Sequence, residues 1–304
     1  MEASPDLLDP ALVDLSHTVV ATTLGRRGLI QRLDQLKVSA GAHVLRVELT
    51  DSRRLVLKFA DGDNEMVDFE RTQAVTAIAR AAGVPTPAVL AADNSGHAGR
   101  RYLLLEHVDG VSWQQVRPRL MPSQVAAIHR QIATAVLSLQ TISFGSFGEL
   151  DRQGQPSGQS LLDALHRRAE LRVLDRQARD LFHRLLEREA DLFTSPQVPT
   201  LCHDDLHHGN VLIRERRGRM ELAGVLDWDK AWAGPAESDI ARMAFWDDMT
   251  GPDFWQVYRG AVPVADGQRE RSLIYQLLWC LEYDDGSSRH AADTAALERS
   301  LGVP

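Results

Sequence analysis

The sequence predicts an α+β protein of two lobes, a small antiparallel-sheet lobe over residues 1–107 and a larger, mainly helical lobe over residues 108–304. Strand-like alternation is concentrated in the first third of the chain, whereas helical spacing dominates from Pro122 onward. At 304 residues, with 44% hydrophobic and 25% charged side chains, the chain is long enough to bury a core in each lobe.

After a polar start, Leu29–Leu33 and Val44–Leu49 alternate as strands do, and Leu55–Phe59 follows a polar turn at Asp51-Ser52-Arg53. These read as consecutive antiparallel strands. Asp68 to Ala82 carries apolar residues at helical spacing and closes on Gly83, with Pro85 and Pro87 beyond, which is a helix stop. Ala88-Val89-Leu90 and Tyr102–Glu106 read as two more strands across a turn at 93–97. Pro122–Leu139 and Ser160–Leu192 have helical spacing with Arg and Glu on solvated faces, joined by a Gly- and Ser-rich loop over 141–159.

Composition narrows the function classes. A formal net charge of -8 disfavours nonspecific binding to nucleic acid or an anionic membrane and suits a cationic or neutral small-molecule partner. Two cysteines, Cys202 and Cys280, leave no disulfide framework. The N-terminus is acidic and lacks the apolar run of a signal peptide, and no stretch reaches the length of a membrane span, so a cytoplasmic setting is expected.

The most informative stretch is His203-Asp204-Asp205-Leu206-His207-His208-Gly209-Asn210, followed by Val211-Leu212-Ile213 and by Val225-Leu226-Asp227-Trp228. Val211–Ile213 is expected to pair with Leu222–Leu226 across the polar turn at 214–218, which brings Asn210 and Asp227 to one end of a hairpin. Asp205 on the preceding loop is then placed to orient, and finally accept, the proton of an attacking hydroxyl, with Asn210 and Asp227 as ligands to Mg²⁺. Singly, each residue has a plainer reading: Asp227 as a turn carboxylate, Asp205 as a cap, Lys58 as a snorkelling strand lysine. Their order along the chain favours the joint reading.

This run resembles the catalytic loop of the aminoglycoside phosphotransferase and choline kinase-like family, relatives of protein kinases. The family pattern is roughly His-Gly-Asp-Leu-His-Pro-Gly-Asn, and six of its eight positions are kept here, with Asp204 and His208 as the substitutions. Leu226-Asp227-Trp228 and Gly234–Ala241 are similar to the family's next two elements, with Asp239 as the aspartate that braces the region. The resemblance implies a bilobal protein-kinase-like fold, with a nucleotide-binding N-terminal lobe and a catalytic and substrate-binding C-terminal lobe. It implies transfer of the γ-phosphoryl group of ATP (or GTP), with Mg²⁺, to a hydroxyl of a small molecule. Lys58 is similar to the strand lysine that meets the phosphates, Ser39 and Gly41 to the turn above them, and Glu106 and Val108 to the hinge at the adenine edge. The family's helix glutamate falls at Thr72 or Gln73, 13 and 12 residues before Pro85, so Glu70 is the nearest acid to pair with Lys58.

For the acceptor, Asp247 follows Phe245-Trp246, and Glu282, Asp284 and Asp285 surround Tyr283 near the end of a helix. Carboxylates interleaved with aromatic rings suit a cationic amine through ion pairs and cation–π contact. An amphipathic helix with a solvated acidic end is the plainer alternative. The resemblance implies an aminoglycoside or another basic antibiotic, a choline-like amine or an amino sugar as substrate; a pseudokinase-like protein that binds ligand without turnover is the reading from another class.

Overall fold

The computed structural model describes residues 8–39, 42–60, 67–246, 248–283 and 286–303. Gly41, Asp247, Asp284 and Asp285 lie outside them, and Ser39 is described by its backbone alone. Among the described residues, no helix is long and apolar enough to cross a membrane.

The chain opens with a helix that the polar start concealed, α1 (Pro10–Leu24). Its sequence is rich in Val and Thr, which favour strands. Asp9 overrides that preference: its carboxylate accepts the Ala11 N–H at 3.0 Å, and Pro10 pre-sets the first turn. The strands β1 (Ile30–Ser39), β2 (Ala42–Leu49) and β3 (Arg54–Ala60) follow as antiparallel neighbours. Next come α2 (Phe69–Ala81), capped by Asp68, and the strands β4 (Val89–Asp93) and β5 (Tyr102–Glu106). The sheet order is β1-β2-β3-β5-β4. Alternation in β3 sorts its side chains between two faces. Leu55, Leu57 and Phe59 join Leu12, Val19 and Val20 of α1 in one core, while Val56 packs with Phe69 of α2. Lys58 shares the face of Val56, so the register aims it away from α1 and toward the second lobe.

That lobe begins with β6 (Val111–Ser112), α3 (Trp113–Val116), α4 (Pro122–Gln140) and β7 (Gly148–Glu149). The helical run expected over 160–192 is two helices, α5 (Leu161–Arg172) and α6 (Arg176–Arg188). Asp175 restarts the helix by accepting the Ala178 N–H at 2.8 Å, after Val173 has turned extended. Then follow β8 (Pro199–Cys202), β9 (Val211–Arg216), β10 (Arg219–Val225), β11 (Trp232–Pro235), α7 (Ala236–Phe245), α8 (Pro252–Ala261), α9 (Gln268–Glu282) and α10 (Ser288–Ser300). β9 and β10 form the expected hairpin, in which Val211 faces Val225, and β6 adds to its other edge. β11 lies between β7 and β8. Two apolar cores support these sheets, one centred on Trp113, Ile128 and Trp228, the other on Phe182, Trp232 and Leu277.

The lobes meet along α2. The Val225 N–H donates to the Pro85 carbonyl at 2.8 Å, and the Arg71 guanidinium donates to the carbonyls of Asp229 and Ala231 at 3.0 and 2.8 Å.

Candidate active site

The segment joining β8 to β9 is fixed by a buried aspartate. The two carboxylate oxygens of Asp239 accept the backbone N–H groups of His203 and Asp204, at 2.9 and 2.7 Å. Burial, with Asp204 nearby, nonetheless pushes its carboxyl up to about 7. Asp204 takes the left-handed conformation, φ 61°. His203 lies against Trp228, its ring tilted 55° to the indole, and both its ring nitrogens are engaged: Nε2 pairs with the Leu226 carbonyl at 2.9 Å, and Nδ1 accepts the Asp205 N–H at 3.1 Å. The second contact requires an unprotonated Nδ1, so the ring is neutral with its proton on Nε2. Burial lowers its pKa in the same sense. His203 is therefore a brace.

Asp205 projects from this frame. Its Oδ1 accepts from Arg242 Nη2 at 2.6 Å, and the Asn210 amide nitrogen donates to its carbonyl at 3.0 Å. Burial acts to raise the carboxyl, but Lys230 and Arg242 outweigh it and hold Asp205 below the usual carboxylate range. Arg242 is itself seated 3.4 Å over the Trp279 ring and 5.6 Å from Trp246. His207 lies against Trp246 and accepts the Gly209 N–H at 3.1 Å. A side chain at 209 would meet that imidazole at 2.7 Å, so the close approach needs glycine. Burial keeps His207 neutral, with a pKa of about 4.

Asn210 and Asp227 stand at neighbouring ends of the β9–β10 hairpin, tied by the Leu226 N–H to the Asn210 carbonyl at 2.8 Å. Asp227 adopts φ 68°, ψ 65°, a left-handed turn that directs its carboxylate back toward the first lobe. There Lys58 Nζ lies 2.7 Å from Asp227 and 3.7 Å from Asp229. Lys58 draws the Asp227 carboxyl strongly downward; burial acts to lower the lysine, but the two carboxylates raise it. Asp229 is held by the Thr72 hydroxyl at 2.8 Å.

Several expected contacts are corrected. Glu70 does not pair with Lys58: it faces Arg152 at 3.0 Å, because two residues separate it from Thr72, a rotation of about 200° around the helix. Glu282, expected to face a cationic acceptor, is 3% exposed, 3.7 Å from Arg168 and 3.6 Å from Lys230. Asp248, next to Asp247, is paired with Arg117. At the hinge, the N–H groups of Glu106 and His107 are taken by Ala88 and Arg54, and Val108 packs on Gly224 at the floor of the hairpin.

A further feature, invisible in the motifs, lies beneath the loop. Arg168, 1% exposed, pairs with Asp204 at 2.5 Å, with Glu149 and with Glu282. Burial would raise the Glu149 carboxyl, but Arg168, Arg172 and Arg71 bring it down to about 2. A carboxyl depressed in the folded state stabilises the fold at pH values above its unfolded pKa, and that contribution is lost as pH falls toward 2. The melting temperature should therefore drop between about pH 5 and pH 3, less steeply in Glu149→Gln. Parallel slopes in a calorimetric pH series would assign the acid sensitivity elsewhere.

Comparison with known proteins follows the same outline. Residues 34–273 match the family model described as "Phosphotransferase enzyme family". The protein named "Probable ketoamine kinase" in Lactiplantibacillus plantarum is 32% identical over 127 residues, a match spanning 41% of this chain and 43%, less than half, of that relative. Among solved structures, a candidate fructosamine-3-kinase of Thermobifida fusca superposes with a TM-score of 0.63 at 23% identity, covering 94% of this chain and 98% of the other. An ADP-bound aminoglycoside phosphotransferase, APH(2'')-Ib, gives 0.61 at 15% identity over 98% of this chain and all of the other (100%). Both likenesses establish a shared bilobal, protein-kinase-like fold.

Proposed function

Since the chain belongs to the phosphotransferase enzyme family, we propose that it transfers the γ-phosphoryl group of ATP to a hydroxyl of a small amine-bearing sugar derivative of the ketoamine type. The observation that supports the reading is the chain of contacts from Lys58 to Asp227, along the hairpin end to Asn210, and on to Asp205, which brings a buried ammonium, two oxygen donors and a further carboxylate together.

The donors fit Mg²⁺. The Asn210 nitrogen is engaged by Asp205, which leaves its amide oxygen for a cation, and Asp227 already faces a positive charge. Among the described residues no group of three or more His, Cys, Asp or Glu can hold a metal alone. Two protein oxygens completed by phosphate and water is the mode Mg²⁺ favours. Bound there, the ion would neutralise charge on the phosphates. Asp205 orients the acceptor hydroxyl and takes its proton as the new bond to the γ-phosphorus forms and the bond from that phosphorus to the β-phosphate oxygen breaks, ADP leaving, with Arg242 and the Asn210 amide fixing its carboxylate. Lys58 would face the phosphates of a bound nucleotide as a fixed cation. Asp227→Asn should therefore raise the Mg²⁺ concentration for half-maximal activity about tenfold, because it removes a charged ligand from a hard cation. An unchanged Mg²⁺ requirement would take Asp227 out of the metal site.

The ketoamine reading draws on the similarity to the Lactiplantibacillus plantarum protein and on the surroundings of Asp205. Buried donors there have no protein partner among the described residues: Nε and Nη1 of Arg242 and the indole nitrogens of Trp246 and Trp279. Donors beside aromatic faces suit a hydroxyl- and carbonyl-rich acceptor. An aminoglycoside or other polycationic antibiotic is the second reading, favoured by the shared fold with APH(2'')-Ib. It finds fewer open carboxylates, since Asp204, Asp205 and Glu282 each face an arginine. ATP consumption with a fructosyl-amine, an aminoglycoside and choline tests both. Turnover of the fructosyl-amine alone supports the proposal; turnover confined to either other acceptor refutes it.

A further inference from the structure

Among the described residues Lys58 faces two carboxylates, and both come from one short segment of the second lobe. Asp227 is the nearer at 2.7 Å and Asp229 the next at 3.7 Å, while the acid of α2, Glu70, is turned to Arg152. If Asp227 holds a divalent cation, its charge is shared with that ion, and an ammonium that must stay aligned beside phosphates needs a second anion. Asp229 is built for that task. Its Oδ1 accepts from the Thr72 hydroxyl, which leaves Oδ2 on the side of Lys58, and its carbonyl accepts from Arg71. Thr72 is 5% exposed, so the bond is shielded from water. Thr72 also stands at the helix position where a glutamate was sought and not found. A threonine there is too short to reach the lysine itself, but it can hold an acid that does.

We propose that Asp229 is the positioning residue that aligns Lys58 for nucleotide binding, with Thr72 and Arg71 holding it in place, so that the lysine's counter-ion comes from the catalytic lobe. This rests on the reading of the protein as an ATP-dependent phosphotransferase. The inference ties the nucleotide lysine to the metal segment within a single loop and makes α2 a clamp on that loop.

The experiment is calorimetric titration of MgADP into the full chain, with KM for ATP measured alongside. Asp229→Asn keeps the size and the Thr72 contact but removes the charge, and should weaken MgADP binding and raise KM for ATP about tenfold with the KM of the acceptor unmoved. Thr72→Val should shift both in the same direction by less. Placing Thr72→Glu in the Asp229→Asn background restores a carboxylate from the helix side and should recover most of the nucleotide affinity, which a merely structural role for Asp229 would not produce. If Asp229→Asn binds MgADP as the parent does, or if Glu70→Gln carries the loss instead, the assignment is overturned. Failure of the unmodified protein to bind MgADP or consume ATP is a different result: it removes the phosphotransferase reading, and the inference with it.

Discussion

Asp205→Asn is expected to cut turnover at least about a hundredfold while MgADP affinity stays within a factor of about two. The amide keeps an oxygen for Arg242 Nη2 and preserves the fold of the loop, so what disappears is the charge proposed to orient and accept the proton. Asp205→Ala should be worse in a second way. It leaves the Arg242 guanidinium, 5% exposed, over Trp279 without its anion, and stability should fall along with activity. Comparing the two variants separates chemistry from support. Turnover in Asp205→Asn within a factor of about five of the parent would exclude Asp205 as the base.

The largest effect on stability should come from Arg168→Met. One guanidinium, 1% exposed, serves the acids Asp204, Glu149 and Glu282, which arrive from the catalytic loop, β7 and α9. Removing it leaves buried carboxylates facing one another, a change of about 3–5 kcal/mol. For a chain of this size that corresponds to a fall in melting temperature of roughly 5–8 °C. Adding Asp204→Asn to Arg168→Met should recover part of the loss, because the orphaned charge is then removed. Differential scanning calorimetry decides it: a fall of less than about 2 °C would mean that the cluster contributes little.

What the sequence made legible was local. Leu55–Phe59 announced β3 because its alternation spans a buried strand, and Asp205, Asn210 and Asp227 were readable because they lie within one loop and one hairpin. α1 was missed because its Val and Thr content hid the helix, although Asp9-Pro10 was an available start signal. Arg242, Thr72 and Arg168 were missed for another reason. Arg242 is 37 residues from the carboxylate it holds, Thr72 is 157 and Arg168 is 36, and no spacing rule connects them. Glu282 was read as facing a cationic acceptor, because nothing in Leu281-Glu282-Tyr283 tells an open acid from one closed over by Arg168 and Lys230.

The seam between the lobes sets how they can move. Two of its anchors, Arg71 to Asp229 and Ala231 and Val225 to Pro85, lie on α2 and just beyond its end, while the connecting segment at 107–110 runs over the β9–β10 hairpin. A sheet tied along one side opens as a book does, with the spine at α2 and the free margin at β1, the strand at the far edge of the order β1-β2-β3-β5-β4. Rotation about that spine changes the gap above the cleft by a lever arm that grows with each strand outward. β1 and β2 then sweep the widest arc, and Lys58, on the middle strand, travels a shorter path.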